Sequence, residues 1–156
     1  MCSYCGCRSI DMIGRFTAEH EELINATGLL RRAAAVGATD EVVELVDEVA
    51  TLLAPHTDAE EAGLFTVLRR DEDFIPYIDS LCREHATLDE LLARLRAGKL
   101  DLADRFYADL RSHIEREEDG LFPASLTTLR GDDWDEVDAL TAAAVPATSA
   151  PPPAAL

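Results

Sequence analysis

A ten-residue motif that occurs twice restricts the fold of this 156-residue chain more than any other feature. The sequence HTDAEEAGLF begins at His56 and HIEREEDGLF begins at His113, with His, both Glu, Gly, Leu and Phe in register. The two other histidines also match each other, because His20 and His85 each follow a Glu and stand three positions before a Leu. The chain therefore reads as two copies of a helical hairpin, and this pattern uses all four of its histidines.

Apolar residues recur at three- and four-residue steps along four long segments, which predicts amphipathic helices. The predicted helices start near Ile10, Asp40, Pro76 and Asp101. Aromatic residues make up only 6% of the composition, so the core is expected to be aliphatic, which suits packed helices better than a sheet. Gly37 is expected to stop the first helix, with Thr39 or Asp40 as the N-cap of the second. Pro55 is expected to kink the second helix just before His56, and Pro123 is expected to bend or end the fourth helix.

We therefore predict an all-α fold, an antiparallel up-down four-helix bundle over residues 10–130. A Cys-rich lead over residues 1–9 precedes the bundle. A short helix over residues 131–144 is expected to pack Trp134 over one end of it. The Pro/Ala-rich tail over residues 145–156 is predicted to be disordered.

Helical geometry brings each repeated histidine onto one face with a glutamate. Residues four apart on an α-helix are separated by about 40°, whereas residues five apart are separated by about 140°. Glu60 and Glu117 are therefore better placed to point inward than Glu61 and Glu118. The distances along the chain from each histidine to the nearest turn are similar, so all four histidines are expected to meet in one layer.

Four imidazoles and two carboxylates in an apolar interior would be costly to bury without partners, and metal binding removes that cost. Each imidazole supplies a nitrogen and each carboxylate can bridge two cations, a mixed ligation that suits iron, manganese or zinc. The predicted metal ligands are His20, His56, Glu60, His85, His113 and Glu117. The neighbouring Glu19, Glu61, Glu84 and Glu118 are interpreted as solvated groups or as groups that orient a histidine.

With these motifs, residues 10–130 resemble the hemerythrin-like HHE cation-binding domain family. The resemblance implies a four-helix bundle with a non-haem di-iron centre, oxo- or hydroxo-bridged, in which Glu60 and Glu117 bridge the metal ions. It also implies binding of O₂ or a related small oxidant, such as peroxide or nitric oxide. Manganese or zinc are possible substitutes for iron at such ligands.

The chain departs from the oxygen-carrying members of that family at one ligand. Those proteins have a fifth histidine on helix three, whereas here Leu81 lies four residues before His85 and Asp89 four residues after it. The candidates to supply the missing ligand are water, Glu61, Glu118 or a shifted carboxylate. Because the carriers place a carboxylate five residues after the histidine of helix four, Glu117 and Glu118 also compete for the bridging role.

Charge and cysteine usage restrict the partners and the compartment. The formal net charge of −17 repels phosphate backbones and anionic lipid, so neither nucleic acid nor a membrane surface is expected as a partner. The first residues lack the basic and apolar regions of a secretory signal, and the uneven spread of the four cysteines does not suggest a disulfide framework, so we expect a reducing, cytoplasmic location. Cys82 is interpreted as a small buried hydrophobe and Tyr77 as a packing residue.

The N-terminal thiols of Cys2, Cys5 and Cys7 have three interpretations: a reactive disordered lead, a redox relay or switch for the metal centre, and a metal site shared across a dimer. The main functional hypothesis is a protein that binds or senses O₂ or a related oxidant, with a possible redox partner protein. The alternatives are a peroxide-decomposing or oxidising di-iron enzyme that takes electrons from these thiols, and an iron storage or homeostasis protein.

Overall fold

A computed structural model describes residues 11–144, and the elements in this range are all helical, which confirms the all-α prediction. Helix α1 is Asp11–Ala35, α3 is Ile75–Arg96 and α5 is Gly131–Ala144. Helix α2 runs over Thr39–Glu60, a π-helical turn Glu61–Phe65 and Thr66–Leu68. Helix α4 runs over Ala103–Arg116, a π-helical turn Glu117–Leu121 and Phe122–Thr128. Short 3₁₀ turns, Glu72–Phe74 and Leu100–Leu102, precede α3 and α4. The Cys-rich lead and the Pro/Ala-rich tail lie outside the described residues.

Glycine and proline set several helix boundaries, including the predicted stop of the first helix at Gly37. Gly37 and Gly98, with φ of 69° and 98°, adopt the left-handed conformation that ends α1 and α3. Pro76 lies in the first turn of α3, where its missing N–H costs no helical hydrogen bond. The predicted N-cap of α2 is wrong by at least one residue, because Ala38 occupies that position and makes no side-chain cap.

The two prolines inside α2 and α4 do not end those helices. α2 continues through Pro55, and its change of helical register comes later, in the π-helical turn Glu61–Phe65. α4 does not end at Pro123, which lies in the first turn of the segment that continues to Thr128. This position needs no α-helical hydrogen bond from the proline nitrogen, so the ring is tolerated.

The four long helices pack in a ring, because α1 and α3 each contact both α2 and α4. Two buried apolar clusters fill the interior. One cluster contains Phe16 and Leu81, and the other contains Leu23 and Leu88, so the layer of His20 and His85 lies between them.

Helix α5 packs across the π-helical turn of α2. Its Trp134 is partly buried against the cluster that contains Phe16, as predicted. No helix among residues 11–144 is both long and apolar enough to cross a membrane.

Candidate metal centre

The structure brings the six predicted ligands into one buried layer. None of these residues is more than 3% exposed: His20, His56, Glu60, His85, His113 and Glu117. Glu60 and Glu117 are fully buried at 0%, whereas Glu61 is exposed and Glu118 is half-buried. The inward placement of the first glutamate of each pair therefore agrees with the four-residue spacing from the histidine.

The six side chains form two overlapping groups that share both buried carboxylates. One group is His20, His56, Glu60 and Glu117, the other is Glu60, His85, His113 and Glu117, and within each group the possible ligand atoms lie within 4.8 Å of one another. Glu60 spans the groups, because its Oε1 lies 3.3 Å from His56 Nε2 and its Oε2 lies 3.5 Å from His85 Nε2. Glu117 spans them too, with Oε2 3.1 Å from His20 Nε2 and Oε1 3.2 Å from His113 Nε2.

A second glutamate holds the outer nitrogen of every histidine. We call these four residues the outer glutamates: Glu19, Glu61, Glu84 and Glu118. The Nδ1 to carboxylate distances are 2.7 Å for His56–Glu19, 2.7 Å for His85–Glu61, 2.8 Å for His113–Glu84 and 3.0 Å for His20–Glu118. A carboxylate on Nδ1 keeps the proton there, fixes the ring and turns the Nε2 lone pair toward the centre.

The pairing of outer glutamates with histidines follows the sequence repeat. Glu19 and Glu84 occupy matching positions and hold the histidine of the next helix in their own hairpin. Glu61 and Glu118 also match, and each holds a histidine of the other hairpin. The structure thus places Glu61 and Glu118 in an orienting position, and it places Glu117 rather than Glu118 at the centre.

The centre contains buried polar atoms that no protein group satisfies. Nε2 of His20 and His56 and all four carboxylate oxygens of Glu60 and Glu117 are buried without a hydrogen-bond partner. The 3.1 Å approach of His20 Nε2 to Glu117 is therefore a close contact without hydrogen-bond geometry. Unpaired buried acceptors are costly, and cations placed among them would remove that cost. The donor set of imidazole nitrogens and carboxylate oxygens therefore fits a pair of metal ions.

Electrostatics in the layer favour positive charge. Burial alone would lower the pKa of His20, but the nearby carboxylates of Glu117 and Glu118 outweigh burial and raise it to about 10. Burial also opposes the charge on His85, yet Glu117, Glu60 and Glu61 raise its pKa to about 12. Burial would raise the pKa of Glu117, but the neighbouring histidines, His113 foremost, hold it well below its usual value. Protons or metal ions must therefore neutralise the buried carboxylates.

Aromatic rings cover the histidines on one side of the layer. Phe122 stacks on His20 with centroids 5.8 Å apart, and Phe65 stacks on His85 with centroids 5.7 Å apart. The two phenylalanines are the last residues of the repeated motif. Leu81 stands four residues before His85, where the sequence lacks the fifth histidine of the oxygen carriers. Its side chain is fully buried in the apolar cluster that contains Phe16, so this position offers no fifth nitrogen.

Two arginines brace outer glutamates on the side away from the histidine. Arg15 Nε lies 2.7 Å from Glu19 Oε1, one helical turn along α1. Arg116 contacts Glu84 from the neighbouring helix and donates to Ser80 Oγ at 2.6 Å. Neither arginine is among the predicted site residues, although the four-residue spacing of Arg15 and Glu19 is a sequence signal for the first ion pair.

Two further predictions concerned single residues near the site. Tyr77 packs as predicted, with its ring under the Arg116 guanidinium at 4.7 Å. Cys82 packs against the apolar cluster that contains Phe16, which agrees with the predicted apolar role, but it is only partly buried and its Sγ lies 3.8 Å from Arg69 Nη2. The thiols of Cys2, Cys5 and Cys7 lie outside the described residues.

Comparisons with known proteins agree with the chemistry of this layer. A family model described as the hemerythrin HHE cation binding domain matches residues 11–125. No curated protein and no solved structure matches the chain significantly. The matched range contains all six residues of the buried layer and all four outer glutamates.

Proposed function

Because the chain belongs to the hemerythrin HHE cation-binding domain family, we propose that its buried layer binds two iron ions and, through them, O₂ or a related small oxidant. The observation that carries this proposal is the pair of overlapping groups that share Glu60 and Glu117. Two cations in these groups would satisfy the carboxylate oxygens that lack a hydrogen-bond partner. Nitrogen and oxygen donors together suit iron, with manganese or zinc as substitutes.

The charges around the layer support a pair of divalent cations. Glu60, Glu117 and the four outer glutamates carry six negative charges, and the bracing Arg15 and Arg116 carry two positive charges. Two divalent ions would balance the formal charge of this assembly. The outer glutamates and the two arginines are partly exposed, so the negative charges that cations must balance inside the buried layer are those of Glu60 and Glu117.

In this proposal the protein supplies orientation and a dry site. Iron held by these residues would supply electrons and open coordination positions for an oxidant. The outer glutamates hold the four imidazole rings, and the carboxylates of Glu60 and Glu117 keep the two metal positions close together. The apolar clusters above and below the layer would restrict access to small molecules, and the weakly polar O₂ and nitric oxide would enter more easily than peroxide.

Several related predictions belong to the same proposal. We infer that the four long helices run up and down in antiparallel order, which their short connections and ring of contacts support. We propose a cytoplasmic location and a redox partner protein that returns electrons to the iron. The expectation that nucleic acid and membranes are not partners stays a prediction from the net charge.

The test is metal analysis with an optical spectrum, taken before and after addition of O₂ and then of peroxide. We expect about two iron ions per chain and a new charge-transfer absorption after oxidant is added. A reversible O₂ adduct indicates a carrier or sensor, repeated consumption of peroxide indicates an enzyme, and neither response indicates an iron store. Protein that contains no metal after purification from iron-supplied cells would overturn the proposal.

Matched variants assign the metal to the layer. His56→Ala and His113→Ala each remove one nitrogen, from different groups, and both are expected to reduce the bound iron. Glu48→Gln, on an exposed position of α2, is the control and should keep the full content. Unchanged iron in both histidine variants would show that the metal binds elsewhere.

A further inference from the structure

Two hydroxyl groups meet the same backbone position in the two repeats. The Thr141 hydroxyl, on α5, donates to the carbonyl oxygen of Ala59 at 3.3 Å. The Tyr77 hydroxyl, on α3, donates to the carbonyl oxygen of Arg116 at 2.7 Å. Ala59 and Arg116 are matching positions of the repeat, and each immediately precedes a buried glutamate of the layer. The two contacts are equivalent although their donors come from unrelated parts of the chain.

The same hydroxyls explain why each repeated motif has a glycine, at Gly63 and at Gly120. A Cβ atom added at Gly63 would lie 2.1 Å from Thr141 Oγ1 and 3.0 Å from the Val137 carbonyl oxygen. A Cβ atom added at Gly120 would lie 2.7 Å from the Tyr77 hydroxyl. Neither glycine has a positive φ, so the close approach of the hydroxyl, not backbone conformation, accounts for glycine here.

Both contacts occur where the helix leaves the regular α-helical register. Glu61–Phe65 and Glu117–Leu121 are π-helical turns, which are wider than α-helical turns, rare in proteins and frequently found at functional sites. A change of register disturbs the backbone hydrogen bonds around it, so a donor from outside the helix stabilises the turn there. The outer glutamates Glu61 and Glu118 lie within these turns, and each reaches a histidine on a different helix.

We propose that Thr141 and Tyr77 are positioning residues of the metal centre. Each hydroxyl donates a hydrogen bond to the carbonyl group beside a π-helical turn and so fixes the position of that turn. The fixed turn then places Glu60 or Glu117 between the two metal positions. The same turn carries Glu61 or Glu118 onto the Nδ1 atom of a histidine in the other hairpin. This role rests on the proposed function, since it concerns the geometry of a metal-binding layer.

Helix α5 is part of the site in this proposal. The family model ends at residue 125, whereas Thr141 lies beyond it, so the matched region does not contain the donor of the first repeat. Thr141 is 1% exposed, and a bidentate pair between Arg70 and Glu136 also ties α5 to the end of α2. The helix therefore supplies the hydroxyl that α3 supplies to the second repeat.

The test removes each hydroxyl with little change in shape and uses cobalt(II) as a coloured probe in the full-length protein. Thr141→Val and Tyr77→Phe are expected to weaken cobalt binding about 10-fold each and to shift its visible absorption bands. Thr27→Val is the control for the first variant, because the buried Thr27 hydroxyl has no hydrogen-bond partner. Tyr107→Phe, at a tyrosine that contacts the exposed Arg111, is the control for the second.

The absorption bands separate positioning from a purely structural role. Thr141→Ser retains the hydroxyl and is expected to restore the wild-type spectrum and affinity even if packing of α5 is weakened. Wild-type bands and affinity in both Thr141→Val and Tyr77→Phe would overturn the positioning role, whatever happens to the melting temperature. A wild-type protein that binds no cobalt and no iron would instead overturn the proposed function.

Discussion

The two hairpins, α1 with α2 and α3 with α4, agree at the centre of the molecule and differ at its surface. Each contributes two histidines, one buried glutamate and two outer glutamates, with the same connections between them. Outside this layer the hairpins are covered differently. α5 lies over the π-helical turn of α2, whereas Tyr77 alone supplies the hydroxyl at the turn of α4.

This difference between the hairpins distinguishes the residues that metal ligation requires from those that support the backbone of the π-helical turns. Metal ligation depends on residue type and geometry, so the ligand residues recur in both hairpins at the same spacing. A backbone carbonyl accepts from any hydroxyl of suitable geometry, so a threonine in one half and a tyrosine in the other serve equally well. The internal symmetry of the centre therefore does not extend to its supports.

The largest expected effect comes from the two carboxylates that both metal positions share. If Glu60 and Glu117 bridge two metal ions as proposed, Glu60→Gln and Glu117→Gln each replace a shared carboxylate with a neutral amide, so both metal ions lose a charged ligand at once. We expect affinity for iron(II) or zinc to fall at least about 100-fold, or about 2.8 kcal/mol, in either variant. Competition with a coloured chelator measures this loss.

The comparison of these two variants tests the symmetry of the centre directly. Equal losses at both positions are expected, because the glutamates match in the repeat and are both 0% exposed. If one variant loses a single metal ion and the other loses both, the two carboxylates do not share the bridging role equally.

The next effect concerns the two motif glycines and the free energy of unfolding. Gly63→Ala is expected to destabilise the protein by about 2 kcal/mol, because the added Cβ meets Thr141 and a backbone carbonyl of α5. Gly120→Ala is expected to cost under about 1 kcal/mol, since it meets only the far end of a tyrosine side chain. Urea unfolding of the metal-free protein measures both.

A third glycine provides the control for this pair. Gly28 lies within α1 with no atom within 4 Å of an added Cβ. Gly28→Ala should stabilise the protein by about 0.5–1 kcal/mol through the entropy of the unfolded chain. A similar stabilisation in Gly63→Ala would mean that α5 does not lie against the turn.

These glycines also show which features of the fold can be predicted from the sequence and which cannot. The four-residue spacing of His56 and Glu60 places both on one face of a helix, so local periodicity is enough to predict the buried layer. The need for Gly63 depends on Thr141, which lies 78 positions later on another helix. Contacts of that kind are set by tertiary packing. The π-helical turns escape prediction for a related reason, because no residue in HTDAEEAGLF has a strong preference for them over an α-helix.

Substitution of the outer glutamates is expected to lower metal affinity by a smaller factor, and by different factors in the two hairpins. Glu61→Gln and Glu118→Gln weaken the hold on His85 and His20, and such changes cost about 10-fold in metal affinity. The Glu61 side chain is 45% exposed and that of Glu118 is 18% exposed, so water can replace Glu61 more easily. We therefore expect about 3-fold for Glu61→Gln and about 10-fold for Glu118→Gln. The reverse order in a zinc titration would show that exposure does not decide the outcome.

The smallest effect is expected at the arginines that brace Glu19 and Glu84. The Arg15 side chain is 40% exposed and makes one ion pair within its own helix, whereas Arg116 also donates to Ser80 and lies over the Tyr77 ring. Partly exposed ion pairs contribute about 0–1 kcal/mol, so Arg15→Gln should change metal affinity less than about 3-fold. Arg116→Gln should change it by up to about 5-fold, because it also disturbs the residue whose hydroxyl holds the α4 turn.

Repeating the zinc titration in the Tyr77→Phe background decides the cause of the Arg116→Gln effect. If Arg116 acts through Tyr77, its effect shrinks to that of Arg15, whereas an unchanged effect assigns it to the ion pair with Glu84 alone.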